Sequence, residues 1–101
     1  MKLVIVTAVD EYQEDVFQLF KNAEIDNFSE SDIEGYKTTK SSPIASNWFG
    51  NKKNSADSEM FFSFSEDKKI DVLFSLIETF NQNLKSNNPI RAVVVPIEKY
   101  I

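Results

Sequence analysis

The chain is 101 residues long and 42% hydrophobic, the size of one domain with one core, and residues 1–101 are expected to form a single unit. Eleven Lys and Arg against sixteen Asp and Glu leave a net charge of -5, which argues against a broad grip on nucleic-acid phosphate or anionic lipid. The sequence has no Cys and no His, and that excludes disulfides, zinc fingers, thiol nucleophiles, imidazole catalysis and the commonest transition-metal sites.

The segment Leu3–Val9 is apolar on both alternating sets, the pattern of a strand covered on both faces. It is too short to span a bilayer and lacks a small-residue cleavage pattern, so a cytoplasmic protein without membrane insertion is expected. Asp10 with Gln13 reads as a helix start, and Tyr12, Val16, Leu19, Phe20 and Ala23 continue at helical spacing to about residue 24. From Phe28 to Lys37 the period becomes two: Phe28, Glu30, Asp32, Glu34 and Tyr36 share one side, and Ser29, Ser31, Ile33 and Gly35 the other. So polar a strand belongs at a sheet edge. Residues 38–57 lack a period and are rich in Ser, Asn and Lys, as in a flexible surface loop. Between Lys37 and Ala56 there are four Lys and no acid. Ile44, Trp48 and Phe49 sit within this basic stretch, either as a docking element for a partner or as an anchor folded back on the body.

Met60–Phe64 is a Phe-rich strand suited to the middle of a sheet. Ser65 reads as a cap, and Ile70, Leu73, Ile77, Phe80 and Leu84 mark one face of a second helix reaching about Lys85. Asn87-Asn88-Pro89 is a turn signal, and Ile90–Ile97 reads as a last strand, with Pro96 tolerable near an edge. The order β-α-β-β-α-β predicts a ferredoxin-like α+β sandwich: a four-stranded antiparallel sheet, strands one and three central, both helices on one face. Its other face is apolar and uncovered, and such a face usually finds a partner.

These elements, in this order, resemble the PII signal-transduction family of nitrogen regulatory proteins, in its wider PII-like sense. The opening Lys2-Leu-Val-Ile-Val resembles the family's first strand, and Ala23-Glu-Ile25 sits where the family closes its first helix with a Gly-Ile-type turn. The segment Phe28 to Tyr36 resembles the family's Met-Thr-Val-Thr-Glu-Val-Lys-Gly-Phe, and Ala92 to Ile101 its closing Ile-Phe-Val-Leu-Pro-Val-Glu strand. The insert falls where the family carries its T-loop. The resemblance implies a homotrimer, a nucleotide in clefts between subunits, and a T-loop that docks on a transporter, enzyme or regulator; it implies no enzyme activity. By position, Ser29, Ser31, Gly35, Tyr36 and Lys37 fall on one part of that cleft, and Lys85, Asn87, Asn88 and Arg91 on the other. The turn before the last strand has no glycines, and Lys37 stands where the family has a second glycine. An adenine nucleotide is thus one candidate ligand and a small anion another.

Glu30, Asp32 and Glu34 lie along one face of strand two, about 7 Å between neighbours. They suit a hard divalent cation or, in the alternative, a solvated edge that discourages strand pairing with other molecules. A metal-binding or tolerance module in the manner of the CutA proteins, which share the trimeric architecture, is the second functional reading. A ligand-independent interaction module belongs to the same alternative.

Overall fold

A computed structural model of the chain describes residues 1–36, 55–84 and 87–101. The elements are β1 (Lys2–Val9), a 3-10 turn (Asp10–Tyr12), α1 (Gln13–Asn22), β2 (Ser29–Tyr36), β3 (Ser55–Ser65), α2 (Asp67–Gln82) and β4 (Arg91–Pro96). The strands form one antiparallel sheet in the order β2-β3-β1-β4. This is the expected split arrangement, with the two most apolar strands inside and the acidic and proline-bearing strands at the edges. Among the described residues, no helix is long and apolar enough to cross a membrane.

Alternation assigns the two faces. Val4, Val6 and Ala8 of β1 and Phe61 of β3 are buried in one core with Val16, Leu19 and Phe20 of α1 and Ile70, Leu73 and Ile77 of α2. Both helices therefore cover the same face. Phe61 lies at the centre, its ring 5.8 Å from Phe17, 6.1 Å from Phe20 and 6.3 Å from Phe28. Offset and edge-on aromatic contacts of this kind add to the area each ring removes from water. Phe28, which precedes β2, thereby joins that edge strand to the core, and Tyr12 meets Phe80 edge-on at 5.5 Å to tie the 3-10 turn to α2.

The helix ends differ from the sequence expectation. Asp10 does not cap α1: Val9 is the N-cap of the intervening 3-10 turn and Tyr12 that of α1, neither with a side-chain bond. Ser65 ends β3 instead of capping α2, whose N-cap is Glu66, and the Ser65 hydroxyl lies 2.9 Å from that of Ser63. The Ser63 hydroxyl in turn donates to the Asn27 carbonyl at 2.6 Å, fastening the α1–β2 connection to β3. At the end of α1, Glu24 N–H donates to Lys21 O and Ile25 N–H to Phe20 O, both at 3.0 Å. Those two bonds make a Schellman ending, which requires a left-handed residue, and Glu24 supplies it at φ 60°. The second helix stops at Gln82, short of the expected Lys85.

The insert is also shorter than expected, because β3 begins at Ser55 and so takes Ser55–Asp57 from the predicted loop. Backbone pairing with β2 continues to Tyr36 opposite Ser55. Polar residues can lengthen a strand where a partner offers backbone hydrogen bonds, and side-chain pattern does not reveal this.

Candidate functional site

The side of the sheet away from the helices is built in rows across the strands. Val95, Leu3 and Phe64 align in one row, and Val93, Ile5, Phe62 and Ser29 in the next. Phe64 is 56% exposed, Val93 37% and Val95 40%, with the Phe62 and Phe64 rings edge-on at 6.4 Å. The third row runs Arg91, Thr7, Met60, Ser31. It contains a buried hydroxyl without a hydrogen-bond partner, Oγ1 of Thr7, which sequence reading passed over because a Thr amid β-branched residues looks like strand filler.

The expected ligand residues fall on both edges of this face. Ser29, Ser31 and Gly35 share the open side of β2, and the carboxylates of Glu30, Asp32 and Glu34 alternate to the helix side. An anion approaching the hydroxyls from the open side thus does not meet those acids. Gly35 is buried within the strand, opposite Ala56, and does not have a positive φ. Tyr36 is exposed and its hydroxyl donates to Glu34, a bond to a carboxylate that pushes its phenol pKa above the usual range. On the far edge, Asn87 is exposed, Asn88 half-buried, and Arg91 opens β4 opposite Thr7. Ser31 and Arg91 end the same row three strand spacings apart, about 14 Å, so one chain does not bring the two groups into contact. Lys37, Lys85, Ile44, Trp48 and Phe49 lie outside the described residues.

Asn81 is a positioning residue that sequence reading missed. Its side-chain amide donates to Ile90 O and accepts from Ile90 N–H, both at 2.8 Å. This two-bond clasp holds the residue before Arg91 against the end of α2, with Ile90 itself in the core. An Asn in the last turn of a helix, ten residues before a strand, has no pattern in the sequence that marks it as a clasp.

The edge acids take different partners. Glu34 accepts from Tyr36, and Glu30 accepts from the amide of Gln13. The same Gln13 amide donates to Glu59 at 3.0 Å. Carboxylate oxygens of Asp10, Asp32 and Glu59 lie within 4.8 Å of one another, Glu59 being directly opposite Asp32 in the β2–β3 register. Burial first, then a hydrogen bond to Glu30 and the charges of Glu30, Asp10 and Asp32, push the Glu59 carboxyl up to about 7. Glu30 is held below its usual value by the bond from Glu59 and then by that from Gln13. Beside this group a depression of about 300 Å³ is lined by Asp10, Asp32, Ile33, Glu34, Asp57 and Ser58. Four acids make it unsuited to phosphate.

No protein-family model and no curated protein matches the chain. Among solved structures it is similar to CPII, a nitrogen regulatory PII-like protein from Thiomonas intermedia K12 whose structure holds ADP, AMP and bicarbonate. The two superpose with a TM-score of 0.62 over 99% of this chain and 94% of that one, at 10% identity. The βαββαβ fold of this chain is therefore that of a PII-like protein.

Proposed function

We propose that the protein is a PII-like regulator. It assembles as a homotrimer through its open sheet faces, binds a nucleotide or another small anion in clefts between subunits, and controls a partner through the connection between β2 and β3. A membrane transporter or an enzyme is the type of partner this reading entails.

The observation that carries the proposal is the open face, with its apolar rows of Val95, Leu3, Phe64 and of Val93, Ile5, Phe62. A monomer would leave this patch in water, and burying it between copies is the favourable alternative. The number three comes from the PII-like resemblance. Placement of the expected ligand residues agrees with a site between subunits: the hydroxyls of Ser29 and Ser31 lie on one edge and Arg91 on the other, so joining them calls for a second copy. Arg91 and Lys37 would offset ligand charge, and the serine hydroxyls would hydrogen-bond its polar groups.

Native mass spectrometry of the freshly purified protein tests assembly and ligand together. A trimer carrying a nucleotide-sized adduct supports the regulator, whereas a monomer overturns it. For the site, Arg91→Ala and Lys37→Ala should each weaken ADP or AMP binding at least about tenfold, a loss of about 1.4 kcal/mol, with the trimer intact. Unchanged affinity in both would refute the assignment of these residues.

A further inference from the structure

At the end of the sheet away from Arg91, the connection between α1 and β2 stands beside the end of β3 and leaves two adjoining depressions. One, of about 350 Å³, is walled by the rings of Phe28, Phe62 and Phe64; the other, of about 200 Å³, is bounded by Asp26, Ser65 and Glu66. Asp26, Asn27 and Phe64 line both, so the two are lobes of one groove. The larger lobe alone reaches the size of a small-molecule site. The lobes differ in chemistry. Aromatic walls on the first suit an apolar body. Beside the second, the hydroxyl of Ser63 gives its one hydrogen to the Asn27 carbonyl at 2.6 Å, so Ser65 is the donor in the 2.9 Å bond between the two serines. What Ser65 has left for the lobe is an acceptor lone pair. The carboxylates of Asp26 and Glu66 also only accept, and among the described residues neither has an ion-pair partner. One basic side chain, Lys69, stands against them on the rim.

We propose that this groove binds a small organic amine, with its apolar body among Phe28, Phe62 and Phe64 and its ammonium group directed at Asp26, Glu66 and the Ser65 oxygen. An ammonium has donors and no acceptor, which matches a set of groups that only accept. The exposed ring of Phe64, shared by both lobes, adds the attraction of an aromatic face for a cation. A carboxylate or phosphate would be repelled by the same acids. From Thr7 and Met60 to Leu3 and Phe64 is four residues along the strands, about 13 Å, so the groove is separate from the row that Arg91 and Ser31 end. Ser29 lies between the two and lines the aromatic lobe. Amine binding requires only this end of one chain and does not depend on the regulatory reading.

The test is a titration of the whole protein with phenethylamine, followed by backbone amide NMR, with phenylacetate as the matched anion and benzyl alcohol as the neutral probe. Phenethylamine should give saturable shifts at Asn27, Phe28, Phe64 and Ser65, leave Thr7 and Arg91 unmoved, and bind at least about fivefold more tightly than phenylacetate. Asp26→Asn, at an exposed position, should weaken phenethylamine about threefold to fivefold and leave benzyl alcohol unchanged. Phe64→Ala should weaken both. Light scattering on the same samples records assembly separately, so a trimer that takes up no amine removes this proposal and leaves the regulator standing. Equal affinity for phenylacetate, shifts centred on Arg91, no shift at millimolar phenethylamine, or unaltered affinity in both variants overturns the proposal.

Discussion

Replacing Glu24 by glycine should stabilise the protein. Glu24 is the left-handed residue that closes α1, at φ 60°, and its position is fixed on both sides by the bonds from its own N–H to Lys21 O and from Ile25 N–H to Phe20 O. A residue with a Cβ in this conformation costs about 1 to 2 kcal/mol. Glycine removes that cost but returns about 0.5 to 1 kcal/mol through the greater freedom of the unfolded chain. Loss of a carboxylate from the negative end of the helix dipole adds a few tenths. The net gain is about 1 kcal/mol, or about 4 to 8 °C in Tm for a domain of this size. Urea unfolding at one fixed protein concentration measures it without interference from assembly. Glu24→Ala is the control, because alanine loses the charge but keeps the Cβ, and it should gain no more than the electrostatic few tenths. If alanine stabilises as much as glycine, backbone strain is not the cause and the reasoning fails.

Three other outcomes are expected. On the proposed pairing of open faces, a Phe64→Asp substitution should shift the protein toward monomer in light scattering at micromolar concentration and leave the far-ultraviolet circular dichroism unchanged, because Phe64 is exposed and lies outside the buried core. Asn81→Ala should cost about 2 kcal/mol in urea unfolding, since it leaves the N–H and C=O of buried Ile90 without their partner; a change within about 0.5 kcal/mol would mean that water replaces the clasp. The pH dependence of stability follows from the sign of each carboxyl. Below 4.5 Glu59 is protonated in both states; between 4.5 and about 7 the folded protein keeps a proton that the unfolded chain has lost. The Glu59 contribution therefore falls as pH rises through that window, with a limiting slope of about 1.4 kcal/mol per pH unit, and levels off above it. Glu30, held low, contributes stability that disappears as pH drops below 4.5. Urea unfolding across this range should show a Glu59-dependent decline that Glu59→Gln abolishes.

The sheet was legible because its apolar segments differ in kind. Leu3–Val9 is apolar at each alternation and is central; the alternating acids of Ser29–Tyr36 mark an edge. Helical spacing found the buried faces of both helices, including Val16, Phe20, Leu73 and Ile77. What escaped were features set by tertiary neighbours. The acids at Asp10 suited a cap equally well, and only the position of β2 and β3 brings Asp10 near Asp32 and Glu59. Glu59 was one acid among sixteen, and its burial goes with its place between two strands, opposite Ala8 of β1 and Asp32 of β2. Of the expected ligand residues, periodicity correctly put Ser29, Ser31 and Gly35 on one side of β2. It could not tell that Arg91 ends the row begun by Ser31, because register across four strands is decided by backbone pairing.

The strand order has a consequence for the nascent chain. β1 is the first strand synthesised, and one of its two long edges is covered only by β4, made after all the others. Until residues 91–96 emerge from the ribosome, a strand of β-branched and aliphatic residues has an open edge with unpaired backbone groups. Such an edge is a template for pairing with other chains. The β1–β4 pairing joins the two strands most distant in sequence, and closing so long a loop carries a larger entropy cost than the other strand pairings do. Pairing of β4 is thus the step that closes the last open edge of β1.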